Sequence, residues 1–595
     1  MSGVFVVLSI PGFVWTTGCN RGSADDSPTA RIAQYEQRMI EEAPIDPAPE
    51  LVPMDRPAPV ELSGQVATTQ PSLEATTWLQ LPDPVMAEGA FARRLAITRF
   101  SDRIKQEYEF IYKDSLEFIR QIERPRAFRL SLADAIRRAL ANNYAVAIEG
   151  YAPAISTAQV VQAEAAFDAA FFANVSRNNT DQPTPSSIIA SQTDSTVVSG
   201  GIRKLLATGA TVTLTQAMTR IDNPGFQFQV LNPSYQQAFI AEIRQPILRN
   251  FGIDFNRAQI NIRKNERKIN EESFRAQVIN TLNTVEQGYW TLVAARRDVT
   301  ISAELLAEAK LTLRQVEARI DFDAYQTLLF RSQSAVQARE FEFIDVKNRV
   351  RNAEDQLLNL LNDPEIPLSA DYEIIPTDDP TLVRVLRDRF YTVQTALENR
   401  PEILQARYTV DNTRLQLGIA KNQALPQFDV IYRMTLNGLG ASPDTSFDQM
   451  TGANFIDQFI GLELLWNIGE RAGRAGIRIA KLQQSQAVLS YKRSLDDVIT
   501  DVRVTLRNLE RSYEQLGPSH EAVISSSENL RSLQERQERK SPPELDTVLG
   551  AQVSLAQSRR ALLTALVEYN QGIVDVERAK GTLIEYDNVV LTEDP

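Results

Sequence analysis

Four stretches of this chain repeat apolar residues at the 3.5-residue spacing of packed helices, and that pattern leaves little choice of architecture. Val278, Leu282, Val285, Tyr289, Leu292, Val299 and Leu306 step by 4, 3, 4, 3, 7 and 7. The same spacing runs through Val336, Phe343, Val346, Val350, Ala353, Leu357 and Leu360, and through Leu495, Val498, Val502, Leu509, Tyr513 and Leu516. It returns in Leu555, Leu562, Leu566, Tyr569, Ile573 and Val576. Such a seam holds one helix face against a partner and coils the pair left-handedly. No proline falls between Asp254 and Leu361. A helix from Asp254 to Ile320 would be about 100 Å long at 1.5 Å per residue. The expectation is therefore an elongated body, not the roughly four ordinary domains that the length alone suggests. Pro518 stands in the corresponding stretch further on, where a kink or break is expected.

The chain also looks duplicated. Ala139-Leu140-Ala141-Asn142-Asn143 is followed 257 residues later by Ala396-Leu397-Glu398-Asn399-Arg400, and Ala163 meets Ala420 and Phe171 meets Phe428 at the same offset. Each half reads as helix, strand region and two very long helices. Thr211–Thr215 and Phe226–Val230 alternate polar and apolar residues in the first half. In the second, Phe428, Val430, Tyr432, Met434 and Leu436 alternate with polar residues, as do Ile460, Leu462, Leu464 and Trp466. Period-2 patterning with one apolar face suits a strand between water and either a protein core or lipid. Strands of about ten residues suit a membrane barrel, and a soluble sheet is the other reading of the same pattern. Aromatics near the strand ends (Phe171, Phe172, Tyr235, Phe239 and Trp466) fit an interfacial belt. If the strands span a membrane, four or so cannot close a barrel alone, so several chains must share one.

The remaining composition excludes much chemistry. One cysteine, Cys19, and one histidine, His520, allow neither an internal disulfide nor a Cys/His zinc site. No Gly-rich phosphate loop is present, and a net charge of −13 argues against a broad nucleic-acid surface. No catalytic group, metal site or cofactor is assigned. His520 reads as a surface residue, and Tyr289 and Trp290 as packing in a helix seam. Residues Val4–Val14 form an apolar run too short to span a bilayer, followed by small residues and Cys19. No Lys or Arg precedes Cys19, and Thr16 stands three places before it. This run resembles a lipoprotein signal, which implies residues 1–18 as a signal peptide and Cys19 as the lipidated first residue. Residues 19–90 are Pro-rich and read as a tether. Residues 91–125 carry helical periodicity at Ile104, Tyr108, Ile111, Leu116 and Ile119.

From 126 onward the sequence resembles the TolC-type outer-membrane channel family. The resemblance rests on Leu130-Ser131-Leu132-Ala133-Asp134-Ala135 leading into Ala139-Leu140, on Arg244-Gln245-Pro246-Ile247-Leu248-Arg249-Asn250-Phe251-Gly252, and on Leu425-Pro426-Gln427-Phe428. Leu464-Leu465-Trp466-Asn467-Ile468-Gly469 repeats the strand-to-helix corner in the second half. Gln245, Pro246, Gly252 and Gly469 are thus the corner residues. The resemblance implies a mainly α chain with a small β part. Duplicated coiled-coil hairpins, in repeats 126–389 and 390–591, would form a periplasmic α-barrel. The strands would contribute to a trimeric outer-membrane β-barrel of about twelve strands. Strand-like sequence between Thr196 and Thr219 is additional to that plan, leaving open which segments span. The resemblance further implies a homotrimer in outer-membrane lipid, a periplasmic adaptor docking at the helix turns, and an inner-membrane pump, proton-driven or ATP-driven. Asp321, Asp323, Glu544 and Asp546 lie at those turns. Three copies of any of them could ring a pore mouth and attract cations, or they are simply solvated acids at helix starts. The expected function is a passive exit duct for efflux or type I secretion. The alternative from another class is a periplasmic coiled-coil adaptor or spacer with no membrane barrel.

Overall fold

The computed structural model describes residues 102–120, 123–124, 126–183, 190–225, 229–319, 326–538 and 545–589. All of them lie within one compact unit, Ser63–Pro595. The proposed signal peptide, Cys19, the tether, Asp321, Asp323 and Glu544 lie outside the described residues.

Four long helices dominate. Helix α4 (Ile253–Glu317, 65 residues) packs against α5 (Gln326–Leu361, 36 residues), and α9 (Arg471–Glu538, 68 residues) against α10 (Leu545–Lys580, 36 residues). The 3.5-residue seams are their buried faces. Val278, Leu282, Val285, Tyr289 and Leu292 are wholly buried in α4, as are Val346, Val350 and Leu357 in α5 and Val502 in α9. At 1.5 Å per residue α4 is about 98 Å long. The break expected at Pro518 does not occur, because α9 runs through it without interruption. Pro518 is exposed while Leu516 and Val523 are buried. Packing on the opposite side therefore holds the helix where the proline removes one backbone bond.

Shorter helices repeat with the duplication. Helices α2 (Leu132–Asn142) and α3 (Tyr144–Glu164) correspond at the 257-residue offset to α6 (Arg389–Asn399) and α7 (Pro401–Gln423). Local chemistry sets these starts. The Ser131 hydroxyl accepts from the Asp134 N–H (3.2 Å), the Asn143 carboxamide oxygen from the Ala145 N–H (2.9 Å), and the Asp388 carboxylate from the Phe390 and Tyr391 N–H groups. Pro401 begins α7, where its missing N–H costs nothing. Helix α1 (Asp102–Arg120) lies along α4. There Arg314 stacks 3.9 Å over the Phe110 ring and pairs with Asp114 at 2.7 Å, and Phe118 meets Phe343 of α5.

A small parallel pair, β1 (Ala127–Leu130) with β6 (Glu373–Pro376), ties the start of the first half to the end of α5. Beside it the Tyr289 hydroxyl accepts from the Thr377 and Asp378 N–H groups at 3.1 and 3.0 Å and donates to the Asp378 carboxylate at 2.7 Å. Tyr289 is thus a core residue whose polar end is satisfied.

The second sheet differs from expectation. It has six strands where four or so were expected, in the order β2 (Ala170–Asp181), β3 (Gln192–Leu205), β4 (Thr211–Asp222), β5 (Ser234–Pro246), β7 (Gln427–Gly440), β8 (Phe455–Leu465), all antiparallel. The additional Thr196–Thr219 stretch forms most of the β3–β4 hairpin, so four strands come from the first half and two from the second. A total of about twelve strands for three chains therefore does not follow from this sheet. Of the alternating stretch Phe226–Val230, only the last two residues are described, and neither is in a strand. Phe226–Phe228 lie outside the described residues, and Gln229 and Val230 sit in a loop closed by Asn223 and Asn232.

Candidate functional site

Partners across an antiparallel ladder point to the same face, so the six strands can be read together. One face carries Phe171 and Val175 on β2, Val198 and Ile202 on β3, Val212, Leu214 and Met218 on β4, and Phe239, Ala241 and Ile243 on β5. It continues through Phe428, Val430, Tyr432, Met434 and Leu436 on β7 and Ile460, Leu462 and Leu464 on β8. These side chains are open to solvent: Phe171 is 76%, Ile460 75% and Leu462 69% exposed. The other face carries Asn174, Ser176, Ser195, Ser199, Thr211, Thr213, Thr215 and Thr219, with Gln236, Thr435 and Asn437. A sheet that presents rows of apolar side chains to solvent on one face, with the polar residues gathered on the other, is unlike a soluble sheet, which buries its apolar face.

The apolar face has a limited height. From Phe428 to Leu436 it extends about 26 Å along the strand before any tilt, close to the ~25 Å apolar band of outer-membrane barrels. Beyond that it turns polar, with Arg177 paired to Asp194 and Arg220 to Asp222. Helix α8 (Pro443–Thr451) folds onto this polar end. A Cβ on Gly438 would lie 1.9 Å from the Ser446 carbonyl oxygen, so only glycine allows that approach. Gln216 donates to Gln237 at 2.7 Å under the buried Met450.

The polar face pairs most of its charges. Near the helical end, Arg244 pairs with Glu463 (3.1 Å) and Asp429 (3.4 Å), and Arg433 with Glu242 (2.6 Å). Asn437 donates to Asp457 at 2.6 Å. Such a surface suits a wetted wall without a strong field of one sign.

The corner residues join this wall to the helices. Gln245 and Pro246 end β5, and Gly252 caps α4 with φ +106°. The Gly252 N–H donates to the Thr208 carbonyl at 3.2 Å, and the Thr208 hydroxyl donates to Gln245, so the β3–β4 turn is stapled into the corner. Asn422 and Gln423 complete it: the Asn422 carboxamide oxygen accepts from the Asn250 N–H at 2.7 Å, and the Gln423 amide donates to Asn250 at 2.8 Å. Gly469, with φ +96°, makes the equivalent turn before α9. Neither Gly252 nor Gly469 has a neighbour near its missing Cβ, so both are required by conformation and not by space. Of the turn acids, Asp546 begins α10 and pairs with Arg331 of α5 at 2.5 Å, both well exposed. No signal in the sequence marked Thr208, Asn422 or Gln423.

Two further charged groupings lie among the helices. Glu286 of α4 is buried against Asp587, which follows α11 (Leu583–Tyr586). Burial pushes both carboxyls above the ordinary range, and the hydrogen bond between them leaves the proton on Glu286. A cavity of about 230 Å³ beside α9 is lined by Arg384, Arg387, Arg389, Arg503 and Arg507, with Arg387 paired to Glu577. Among the described residues, no helix is long and apolar enough to cross a membrane, and no group of three or more His, Cys, Asp or Glu is placed to hold a metal.

Residues 392–582 match the family model for the outer membrane efflux protein. The solved structure of CusC superposes with a TM-score of 0.56 at 16% identity, covering 76% of this chain and 92% of that one. The fold is that of the TolC-type outer-membrane efflux channels. The Campylobacter jejuni CmeC outer membrane channel gives a TM-score of 0.55 at 16% identity over 76% of this chain and 86% of that one. The outer membrane protein VceC of Vibrio cholerae gives 0.55 at 16% over 76% and 96%. A search among curated protein sequences found no match. At these identities the structural likeness is one of fold, and it agrees with the TolC-type plan of duplicated helical hairpins carrying a sheet.

Proposed function

We propose that this chain is one subunit of a trimeric outer-membrane channel, the passive exit duct of a tripartite efflux or type I secretion system. The observation that carries the reading is the two-faced sheet, exposed apolar rows on one face and polar residues on the other, continuous with two long helical hairpins. In this reading the apolar face meets outer-membrane lipid, the polar face lines the exit, and the helices of three copies assemble into the periplasmic tunnel. An adaptor docks at the α4–α5 and α9–α10 turns, and an inner-membrane pump supplies energy. Cys19 carries the lipid anchor, residues 19–90 form the tether, and the repeats divide at 389 and 390. The chain carries no catalysis of its own. A spacer without a barrel has no use for rows of exposed Ile460, Leu462 and Leu464 on one sheet face.

Fractionation of expressing cells without detergent tests this. The full chain should sediment with outer-membrane markers and stay there after a salt wash. Recovery in the soluble periplasmic fraction would refute the channel and favour the spacer. Cys19→Ser should abolish lipid labelling, and unchanged labelling would refute that anchor.

A further inference from the structure

Among the described residues the six-strand sheet ends in two unpaired edges, β2 (12 residues) and β8 (11 residues). Both edges carry exposed apolar residues on that face, Phe171 and Val175 on β2 and Ile460, Leu462 and Leu464 on β8. In hydrocarbon an open edge leaves a row of backbone N–H and C=O groups without partners, so each edge must be covered. The strand directions say what can cover it. β2 follows the short helices α2 and α3 and runs away from the helical part, whereas β8 returns to α9. The β8 of one copy beside the β2 of another is therefore antiparallel, and the up-and-down alternation continues unbroken.

The β3–β4 hairpin belongs to this wall. At the 257-residue offset the starts of α2 and α6, α3 and α7, and β2 and β7 coincide. The register is lost only within the strands: 83 residues separate Ala170 of β2 from Ile253 of α4, but 44 separate Gln427 of β7 from Arg471 of α9. The excess of 39 residues is the size of one hairpin with its connections. That hairpin alternates like its neighbours, with Val198, Ile202, Val212 and Leu214 on the apolar face and Ser195, Ser199, Thr213 and Thr215 on the polar one. It pairs along its whole length with β2 and β5, and its turn is bonded into the corner through Thr208.

We propose that the closed barrel of this protein has eighteen strands, six from each of three copies, with β8 of each copy paired to β2 of the next. The partner at both edges is a second copy of this chain. Barrel diameter grows roughly linearly with strand number, so the exit is about 1.5 times as wide as a twelve-strand ring. Barrels of 16 to 18 strands leave an open aqueous channel, which fits a larger or more hydrated cargo. This rests on the trimeric channel reading above, and the experiment separates the two.

The test uses the full-length chain in outer-membrane vesicles. Asn174→Cys on the polar face of β2 is combined in turn with Phe459→Cys, Gly461→Cys and Glu463→Cys on the same face of β8. After oxidation, one of the three pairs should give covalent dimers and trimers, and each single substitution should give none. The competing pair is Thr215→Cys with the same β8 positions. Cross-linking there in place of Asn174→Cys would mean that β4 is the edge and β2–β3 lies outside the wall. A trimer with that pattern overturns the eighteen-strand ring and leaves the channel reading standing. A native mass of one or two copies overturns the trimer itself. A chain with residues 184–233 deleted joins β2 directly to β5. If it assembles, the barrel ring seen in projection images of the detergent-solubilised oligomer should shrink to about two-thirds of its diameter; an unchanged ring diameter would contradict the proposal. If it fails to assemble, the cross-links in the intact chain decide.

Discussion

The long helices of the two halves match almost residue for residue, 65 against 68 and 36 against 36, while the strand regions between them do not: four strands stand in one half and two in the other. The difference follows from what each part must satisfy. A helix seam is read by its partner along its whole length, so an insertion would throw every later knob out of register. A sheet accepts two more strands at the cost of one hairpin, provided the pair keeps the alternation of its neighbours. In the proposed channel the duplicated hairpins therefore constrain the tunnel, whereas the barrel can grow in steps of two strands per chain.

The comparison can be broken in four places, taken from the largest expected effect to the smallest. Leu292→Ala in α4 and its counterpart Leu509→Ala in α9 each empty a buried seam position. Both should destabilise by about 2–5 kcal/mol, read as a fall in the melting temperature of the assembled oligomer. A small loss at one and a large loss at the other would show that the helical halves are not equivalent. Next, Leu214→Arg in the added hairpin and Ile460→Arg in the second half place a charge on the apolar face. Each should cost about 2–4 kcal/mol in refolding into lipid. If Leu214→Arg is tolerated and Ile460→Arg is not, the added hairpin lies outside the membrane. Gly252→Ala and Gly469→Ala should cost about 1–3 kcal/mol apiece, because each turn needs positive φ and neither lacks space. Urea unfolding of the two variants should shift alike.

The smallest effect concerns how the second half is tied back to the first. Glu286 and Asp587 are held protonated more readily in the folded chain than in the unfolded one, by burial. Their contribution is therefore present at low pH and is lost as pH rises, since the folded state binds more protons. Hydrogen-exchange protection of residues 583–589 should fall from about pH 5 to about pH 9, and Glu286→Gln should flatten that dependence. Equal slopes in both proteins would remove the pair from the account.

Most of the helical architecture is legible in the sequence, because a seam sustained over many turns has one solution. Tyr289 and Trp290 are core residues for that reason, and the corner residues Gln245, Pro246, Gly252 and Gly469 stand at the two strand-to-helix turns. The strand count was harder to see. Thr211–Thr219 alternates threonine with apolar residues, a contrast too weak to separate a spanning strand from a loop, and its face is fixed only by pairing with β3 and β5. Phe226–Val230 has the stronger alternation, yet Gln229 and Val230 lie outside any strand, beside an Asn232 side chain that bonds the Asn223 backbone. Pro518 misleads for a related reason: its cost depends on which side of α9 it occupies, and that side is exposed. The closing contacts of the corner, Thr208 with Gly252 and Asn422 with Asn250, join residues 44 and 172 apart. No local pattern could announce them.

The central claim is that three copies of this chain form an open, passive conduit through the outer membrane. Conductance of the purified oligomer in a planar lipid bilayer tests it most directly. The account predicts discrete, stable steps of conductance without any nucleotide or ion gradient to drive them, lost when Ile460→Arg disrupts the lipid-facing wall. A membrane that stays silent with the intact, correctly assembled oligomer would contradict it.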